Sequence, residues 1–250
     1  MSVTVSDFDQ LDGNVSISSD KIDPIISKNT KKDDKISTAL NLPIVATYNL
    51  RSLMPKFLSL KNDLLERSIQ IGFLQEIWEQ SDNRAFHFEI EKLLEINGLK
   101  YISAPRPKNA KGRSYGGVAI VVNTMKFTLE KLNIFVPNGL EVVWGLVRSK
   151  NISAKFKRII ACSFYSPPNK MKNTKLADHL VSTLHMLSSK YPDCGIILGA
   201  DKNYMDIKPV LSCGLKLRQI VDKCTRKDKI LDVIIMNMSG YYKALKCLSI

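Results

Sequence analysis

The segment GIILGADKNYM, residues 195–205, carries the strongest local signal in the sequence. Its apolar run IIL (196–198) is bounded by residues that favour turns. This pattern predicts a buried strand. An acid and an amide, Asp201 and Asn203, follow directly. The segment therefore predicts a central strand that carries two polar side chains at its end.

Similar apolar segments alternate with amphipathic ones along the rest of the chain. Predicted strands cover 44–50, 71–78, 116–122, 127–135, 141–147, 158–166, 195–200 and 230–237, and predicted helices cover 57–69, 86–96 and 174–191. Strands and helices alternate early, whereas strands follow one another in the middle of the chain. This order predicts an α/β protein with mixed sheets, not strictly parallel ones.

The first part of the chain has a different composition. Residues 1–41 are rich in Ser, Asp, Lys and Asn, and their apolar residues are sparse and aperiodic. Such a segment buries too little apolar surface to fold alone. We therefore expect a disordered leader over 1–41 and a single folded domain over 42–250.

The charge distribution points to a polyanionic partner. The formal net charge is +13, although residues 1–40 contain seven Asp and five Lys. The remainder carries 32 Lys and Arg against 17 Asp and Glu, a net charge of +15. A body this basic favours nucleic acid or an anionic membrane surface as its partner, or it only presents a soluble basic face.

Targeting signals and cysteine usage suggest an intracellular protein. The sequence has no apolar run of about 18 residues, the length expected of a transmembrane helix, and its N-terminus lacks the features of a secretory signal. The five cysteines are scattered, without a C-x-x-C pair, which favours reduced thiols over a zinc site or a disulfide framework.

Several predicted strands have a polar residue inside or directly after them. These residues are Asn49, Glu76, Tyr165, Asp201, Asn203 and Asp232. Each alone has a structural explanation, because strand ends and turns often carry Asn or Asp. Together, separated carboxylates and amides suit a hard cation such as Mg²⁺, which prefers oxygen ligands. A tyrosine hydroxyl and amides could position a phosphate without adding negative charge.

Six short motifs in order resemble a known family. They are YNLRSL (48–53), LQEIW (74–78), YGGVAIVV (115–122), FYSPPN (164–169), LGADKN (198–203) and TRKDKILDVII (225–235). The sequence resembles the endonuclease/exonuclease/phosphatase superfamily over residues 42–250. Within it, the chain is most similar to the apurinic/apyrimidinic-type endonuclease domain of non-long-terminal-repeat retrotransposons.

The resemblance implies a fold, a reaction and residue roles. The fold would be a four-layered α/β sandwich of two mixed sheets packed face to face, with helices outside. The reaction would be Mg²⁺-dependent phosphodiester cleavage, with Mn²⁺ as a substitute. Glu76 would be the main metal ligand, with Asn49 beside it, and Tyr165 would contact the phosphate. Asp201 would activate the attacking water with help from Asn203.

One departure from the family concerns a histidine. The family normally ends in a Ser-Asp-His segment, and Asp232 would be the acid that orients its histidine, but no histidine follows Asp232 here. We interpret His87, His179 and His185 as structural or surface residues. We therefore expect a truncated domain without the last strand, an exposed sheet edge or core face, and impaired activity.

Basic residues supply candidate phosphate contacts. Arg51, Lys202 and Arg226 lie inside the family-like motifs. The loop 106–117, which contains Lys111 and Arg113, could follow a phosphate backbone or could simply be solvated.

The leading hypothesis is a DNA endonuclease domain of retrotransposon origin, associated with a reverse transcriptase on a longer product and acting in the nucleus. A non-catalytic DNA-binding remnant of the same fold is an alternative. A phosphodiesterase or phosphatase of the same superfamily is another.

Overall fold

The computed structural model describes residues 25–28, 42–79, 84–106, 115–151, 154–168, 170–225 and 228–244. Strands β1 to β12 are Ile25–Lys28, Val45–Asn49, Ile71–Gln75, Leu99–Ala104, Val118–Asn123, Phe127–Lys131, Glu141–Ser149, Arg158–Tyr165, Gly195–Asp201, Arg218–Gln219, Asp232–Met236 and Lys243–Ala244. Helices α1 to α4 are Phe57–Glu66, Arg84–Ile96, Lys170–Lys190 and Lys208–Leu211. Strand β6 is shorter than the predicted 127–135. No helix within the described residues has the length and hydrophobicity needed to cross a membrane.

The strands form two mixed six-stranded sheets. Sheet A has the order β12-β1-β2-β3-β5-β4, and sheet B has the order β10-β11-β9-β8-β7-β6. The neighbours β2 and β3 are parallel, as are β8 and β9, and the other strand pairs are antiparallel. Parallel neighbours need a crossover connection, which α1 supplies in sheet A and α3 in sheet B. The mixed-sheet prediction is confirmed.

Three apolar clusters give the molecule its four layers. The inner cluster lies between the sheets and includes Phe73 of β3 and Ile197 of β9. A second cluster joins sheet B to α3 through residues such as Leu184. A third joins sheet A to α1 and α2, with Leu60 as an example. Strand β9 is buried on both faces, which explains its unbroken apolar run. The predicted four-layered α/β sandwich is confirmed.

Gly199 marks a close approach between the sheets. A Cβ atom built on this residue would lie 2.3 Å from Cγ of Phe73 on β3. Only a residue without a side chain fits there. The glycine in GIILGAD therefore lets the two sheets meet just below the end of β9.

The edge of sheet A beside β2 differs from the sequence-based expectation. Strand β1 pairs antiparallel with β2, and β12 pairs antiparallel with β1. Ile25–Lys28 thus forms a strand inside the segment 1–41, for which we predicted disorder. The rest of that segment lies outside the described residues. We also expected an exposed sheet edge, but β1 hydrogen-bonds to the backbone groups of β2, so that edge is covered.

Candidate active site

Four polar residues form a row across one end of sheet B. Glu141 of β7 is in register with Tyr165 of β8, Tyr165 with Asp201 of β9, and Asp201 with Asp232 of β11. Residues in register on neighbouring strands project from the same face of a sheet. Ile197 lies on that face of β9 and packs in the inner cluster. The row therefore points into the space between the two sheets.

Asn49 connects this row to sheet A. It ends β2 and is in parallel register with Gln75, so Glu76 follows one residue later at the same sheet edge. The Nδ2 atom of Asn49 donates hydrogen bonds to Glu76 Oε1 at 2.8 Å and to Asp201 Oδ2 at 2.8 Å. One amide group thus holds two carboxylates that belong to different sheets.

The second polar atom of the Asn49 amide could serve a metal ion. Its Oδ1 atom is buried and has no hydrogen-bond partner among the described residues. A buried acceptor without a partner is uncommon and calls for a specific reason. Beside two carboxylates, this oxygen suits a hard divalent cation, which completes its shell with water. No group of three or more His, Cys, Asp or Glu side chains able to hold a metal occurs in the described residues.

Asn203 fixes the other side of Asp201. Its backbone N–H donates to Asp201 Oδ1 at 3.0 Å, and its Nδ2 donates to the carbonyl oxygen of Ser166 at 2.8 Å. The Ser166 N–H in turn donates to the Asp201 carbonyl oxygen at 3.0 Å. The Asp201 side chain is 1% exposed and accepts a hydrogen bond on each oxygen. Its orientation is therefore set from both sheets.

The Tyr165 hydroxyl stays protonated over the physiological range. Burial raises the pKa of Tyr165 to about 12, and the carboxylates of Glu76, Asp201 and Glu141 add to that shift. A phenol surrounded by acids resists losing its proton, because the product would be another anion. The Tyr165 hydroxyl donates its one hydrogen bond to Glu76 in this structure, so it would have to turn from Glu76 to bind an anionic ligand.

Asp232 and the histidines occupy different layers. The backbone N–H of Asp232 donates to Thr225 Oγ1 at 3.1 Å, which fixes the start of β11. His179 accepts a hydrogen bond from Trp144 Nε1 at 3.3 Å, in the layer between sheet B and α3, and burial lowers its pKa. His185 lies further along α3, and the side chain of His87 is outside the described residues.

Comparisons with known proteins identify the fold. No protein-family model and no curated protein matches the sequence, but solved structures do. A 3′ phosphatase from Neisseria bound to product DNA hairpin aligns with a TM-score of 0.57 at 14% identity, over 80% of this chain and 88% of that one. An endonuclease/exonuclease/phosphatase family protein from Bacteroides thetaiotaomicron aligns with a TM-score of 0.54 at 16% identity, over 77% of this chain and 80% of that one. The chain has the endonuclease/exonuclease/phosphatase fold. A mannosyl-6-phosphatase from the same bacterium aligns with a TM-score of 0.55 at 17% identity, over 78% of this chain and 85% of that one.

Unusual backbone conformations concentrate at this end of the endonuclease/exonuclease/phosphatase fold. Among the described residues, eight non-glycine residues have positive φ, and five of them are Arg51, Ser52, Glu76, Trp78 and Asn203. Hydrogen bonds hold them, such as Ser52 N–H to the Glu76 carbonyl oxygen at 2.9 Å. Left-handed conformations of such residues cost free energy and are often found at functional sites.

The predicted phosphate-binding residues are only partly described. Lys202 lies between Asp201 and Asn203, and its backbone N–H donates to the Leu231 carbonyl oxygen at 2.8 Å. Arg51 is exposed just beyond Asn49. Lys111, Arg113 and Arg226 lie outside the described residues, so their placement stays a prediction.

Sequence reasoning missed Glu141. This acid is buried, forms an ion pair with Arg106 and accepts a hydrogen bond from the Gly117 N–H at 2.5 Å. Burial raises its pKa, although Arg106 and the Gly117 hydrogen bond oppose the shift. Its position at the start of the apolar run EVVWGLV was a signal of the same kind as Asp201 at the end of IILGA.

Sequence reasoning also missed a polar bridge beneath the candidate site. Gln75 accepts a hydrogen bond from Thr47 Oγ1 at 3.0 Å and donates to Ser163 Oγ at 3.1 Å. Ser163 Oγ then donates to the Leu74 carbonyl oxygen at 3.0 Å. All these groups are buried, so the bridge fixes the spacing of β3 and β8 beside Asn49 and just below Tyr165.

Proposed function

We propose that this chain is a Mg²⁺-dependent endonuclease domain of retrotransposon origin that hydrolyses one phosphodiester bond of DNA in the nucleus. The observation that carries the proposal is the Asn49 amide, which binds Glu76 and Asp201 through nitrogen and leaves a buried oxygen available. The basic body of the chain, with a net charge of +15, fits a polyanionic substrate.

Glu76 and the Asn49 oxygen would hold the metal ion. Mg²⁺, or Mn²⁺ in its place, would neutralise charge on the phosphate and on the leaving oxygen. Glu76 carries the charge that a divalent ion requires, and its left-handed backbone turns the side chain toward Asn49.

Asp201 would act as the base for the attacking water. Its oxygens accept hydrogen bonds from Asn49 and from Asn203, and a carboxylate oxygen can accept more than one. Water would attack phosphorus while its proton passes to the Asp201 carboxylate. The bond to the leaving oxygen would break, and solvent would protonate that oxygen. Asn203 positions Asp201.

Tyr165 would bind the phosphate. Its hydroxyl remains a donor because its pKa is about 12, and it lies beside Asp201 in the row. A donor aimed at a non-bridging oxygen stabilises the transition state more than the ground state, since negative charge grows there. Lys202 and Arg51 would add positive charge beside Asp201 and Asn49.

Nicking of supercoiled plasmid in the presence of Mg²⁺ tests the proposal. Asp201→Asn keeps the shape of the side chain and should lower the rate by about 10²–10⁴-fold. Asp206→Asn, at an exposed acid five residues further on, should leave the rate unchanged. Nicking that survives Asp201→Asn would contradict the assigned base.

An added Ser-Asp-His tail tests the role of the histidine. If only the extended chain nicks plasmid, this segment lacks an essential group. If neither version nicks plasmid but both bind DNA without metal, the non-catalytic alternative holds. A reading frame for a reverse transcriptase downstream of the same gene would support the retrotransposon origin.

A small phosphate ester is the second candidate substrate. Two of the structures with this fold are described as a 3′ phosphatase and a mannosyl-6-phosphatase, so the fold accommodates that chemistry. Faster hydrolysis of bis(4-nitrophenyl) phosphate or of a sugar phosphate than of plasmid would favour this alternative.

A further inference from the structure

Tyr204 stands exposed in the turn that follows Asp201, which the hydrogen bond from the Lys202 N–H to the Leu231 carbonyl oxygen ties to the residue before Asp232. Its side chain is 66% exposed, and Lys229 Nζ lies 5.0 Å from its ring centre. A turn holds it in place, because the Met205 N–H donates to the Lys202 carbonyl oxygen at 2.8 Å and the Met205 side chain is buried in the core. The ring is therefore presented to solvent from a fixed backbone beside Asn203.

Tyr115 stands exposed at the opposite end of the polar row. Its ring packs edge-to-face against Trp78, with the ring centres 4.9 Å apart, and its side chain is still 45% exposed. The backbone here is tied to the site, since the Trp78 N–H donates to the Gly116 carbonyl oxygen at 2.8 Å and the Gly117 N–H donates to Glu141. The aromatic pair thus lies beside the Glu141 end of the row.

The two aromatic groups bracket the candidate site. The row runs Asp232, Asp201, Tyr165, Glu141 over four neighbouring strands. Three strand spacings amount to about 14 Å, which is the length of about four stacked nucleotides of one strand. A nucleic-acid strand whose phosphate lies over Asp201 would therefore bring its flanking bases near both aromatic groups.

We infer that unpaired nucleobases on either side of the reacting phosphate stack on Tyr204 and on Tyr115, so that the substrate is a nucleic acid with single-stranded nucleotides at the site. The inference rests on the proposed function, because it places the scissile phosphate at Asp201. Base stacking on aromatic rings is tolerant of sequence. In an intact duplex, neighbouring base pairs cover these faces, so duplex DNA would lose both contacts.

Fluorescence anisotropy without divalent metal tests the inference by binding alone. A fluorescein-labelled single-stranded oligonucleotide should bind the wild-type chain more tightly than the duplex of the same sequence. Tyr204→Ala and Tyr115→Ala should each weaken single-strand binding by about 5-fold to 100-fold, the effect of losing one stacked base. Tyr204→Phe should keep the wild-type affinity.

The matched control is Phe88→Ala. Phe88 is another exposed aromatic residue, 55% exposed, with Lys92 Nζ 4.2 Å from its ring centre, but it lies on α2 outside sheet A. Its removal should leave binding unchanged. The slope of the logarithm of affinity against the logarithm of salt concentration should also stay the same in the tyrosine variants, because no phosphate contact is removed.

Tryptophan fluorescence gives a second readout. The chain has two tryptophans, and Trp144 is fully buried against α3. Quenching by an unlabelled oligonucleotide should therefore come from Trp78 and should fall in Tyr115→Ala.

Three results would overturn the inference. The first is wild-type affinity in both alanine variants. The second is a loss of affinity that is equally large for the duplex. The third is a change in the salt dependence of binding that accounts for the whole loss of affinity. If the wild-type chain binds no nucleic acid, the inference also fails, while turnover of bis(4-nitrophenyl) phosphate still decides whether the chain is a hydrolase.

Discussion

The side-chain nitrogen of Asn49 lies 2.8 Å from Asp201 Oδ2, although 152 residues separate the two along the chain. Each residue ends a strand of a different sheet. The same nitrogen binds Glu76, so one hydrogen-bond donor keeps two acids together that would otherwise repel each other. This contact assembles the candidate active site.

Asn49→Asp should make the stability of the protein depend on metal. The change places a third carboxylate against Glu76 and Asp201 and removes their shared donor. In EDTA, we expect the free energy of unfolding to fall by about 1–3 kcal/mol, and Mg²⁺ should restore part of it by binding the folded state. Urea unfolding with and without Mg²⁺ measures both effects. Asn62→Asp, at an exposed position on α1, is the control, and an equal response to Mg²⁺ in both variants would argue against this site.

Gly199→Ala should separate the two sheets. The new Cβ atom would lie 2.3 Å from Phe73 Cγ, and overpacking of a core typically costs about 1–3 kcal/mol. Thermal unfolding measures the loss. Gly240→Ala should be close to neutral, because no atom lies within 4 Å of the new Cβ. Phe73→Leu in the Gly199→Ala background should recover part of the stability, and no recovery would place the strain elsewhere.

Gln75→Leu should break the polar bridge between the sheets. The Thr47 and Ser163 hydroxyls would each lose a buried partner, at a cost of about 1–3 kcal/mol per group. Plasmid nicking should fall as well, because Gln75 lies beside Asn49 on the neighbouring strand and precedes Glu76. Adding Thr47→Val removes the hydroxyl that has lost its acceptor and should raise the stability again, whereas Ser163 still donates to the Leu74 carbonyl oxygen. A single variant as stable as wild type would show that the bridge contributes nothing.

Tyr165→Phe should change activity and alkaline stability in separate ways. Loss of the phosphate donor should lower the rate by about 10²–10³-fold. The folded-state pKa of about 12 lies above the usual value of 10.0, so between these values the unfolded chain has lost a proton that the folded chain keeps. This group therefore makes stability decline as pH rises from 10 toward 12. Chemical unfolding across that range should show a smaller decline in Tyr165→Phe, and identical pH profiles would contradict the raised pKa.

The strands and helices that frame the site could be predicted, and so could most of its candidate residues. Asp201, Asn203 and Tyr165 were named as candidates because each follows an apolar run that marks a strand, and their roles stay predictions. Glu141 was missed because it is the first residue of β7, where a charged residue has an ordinary structural explanation. Gln75 was missed because it is the last residue of β3, where a polar side chain is common. Only its hydrogen bond to Ser163 on the other sheet reveals its role.

Within the described residues, the sequence by itself predicted eight of the twelve strands and three of the four helices in their correct order and placed the acids at strand ends, because periodicity and turn chemistry act over a few residues. It missed β1, β4, β10, β12 and α4. The tertiary structure alone decided that Asn49 meets Asp201, that Gly199 leaves room for Phe73, and that Ile25–Lys28 covers the edge of β2. These relationships depend on the register of strands and on the distance between two packed sheets. Neither is encoded in a short window of sequence, since both arise from contacts between residues far apart in the chain.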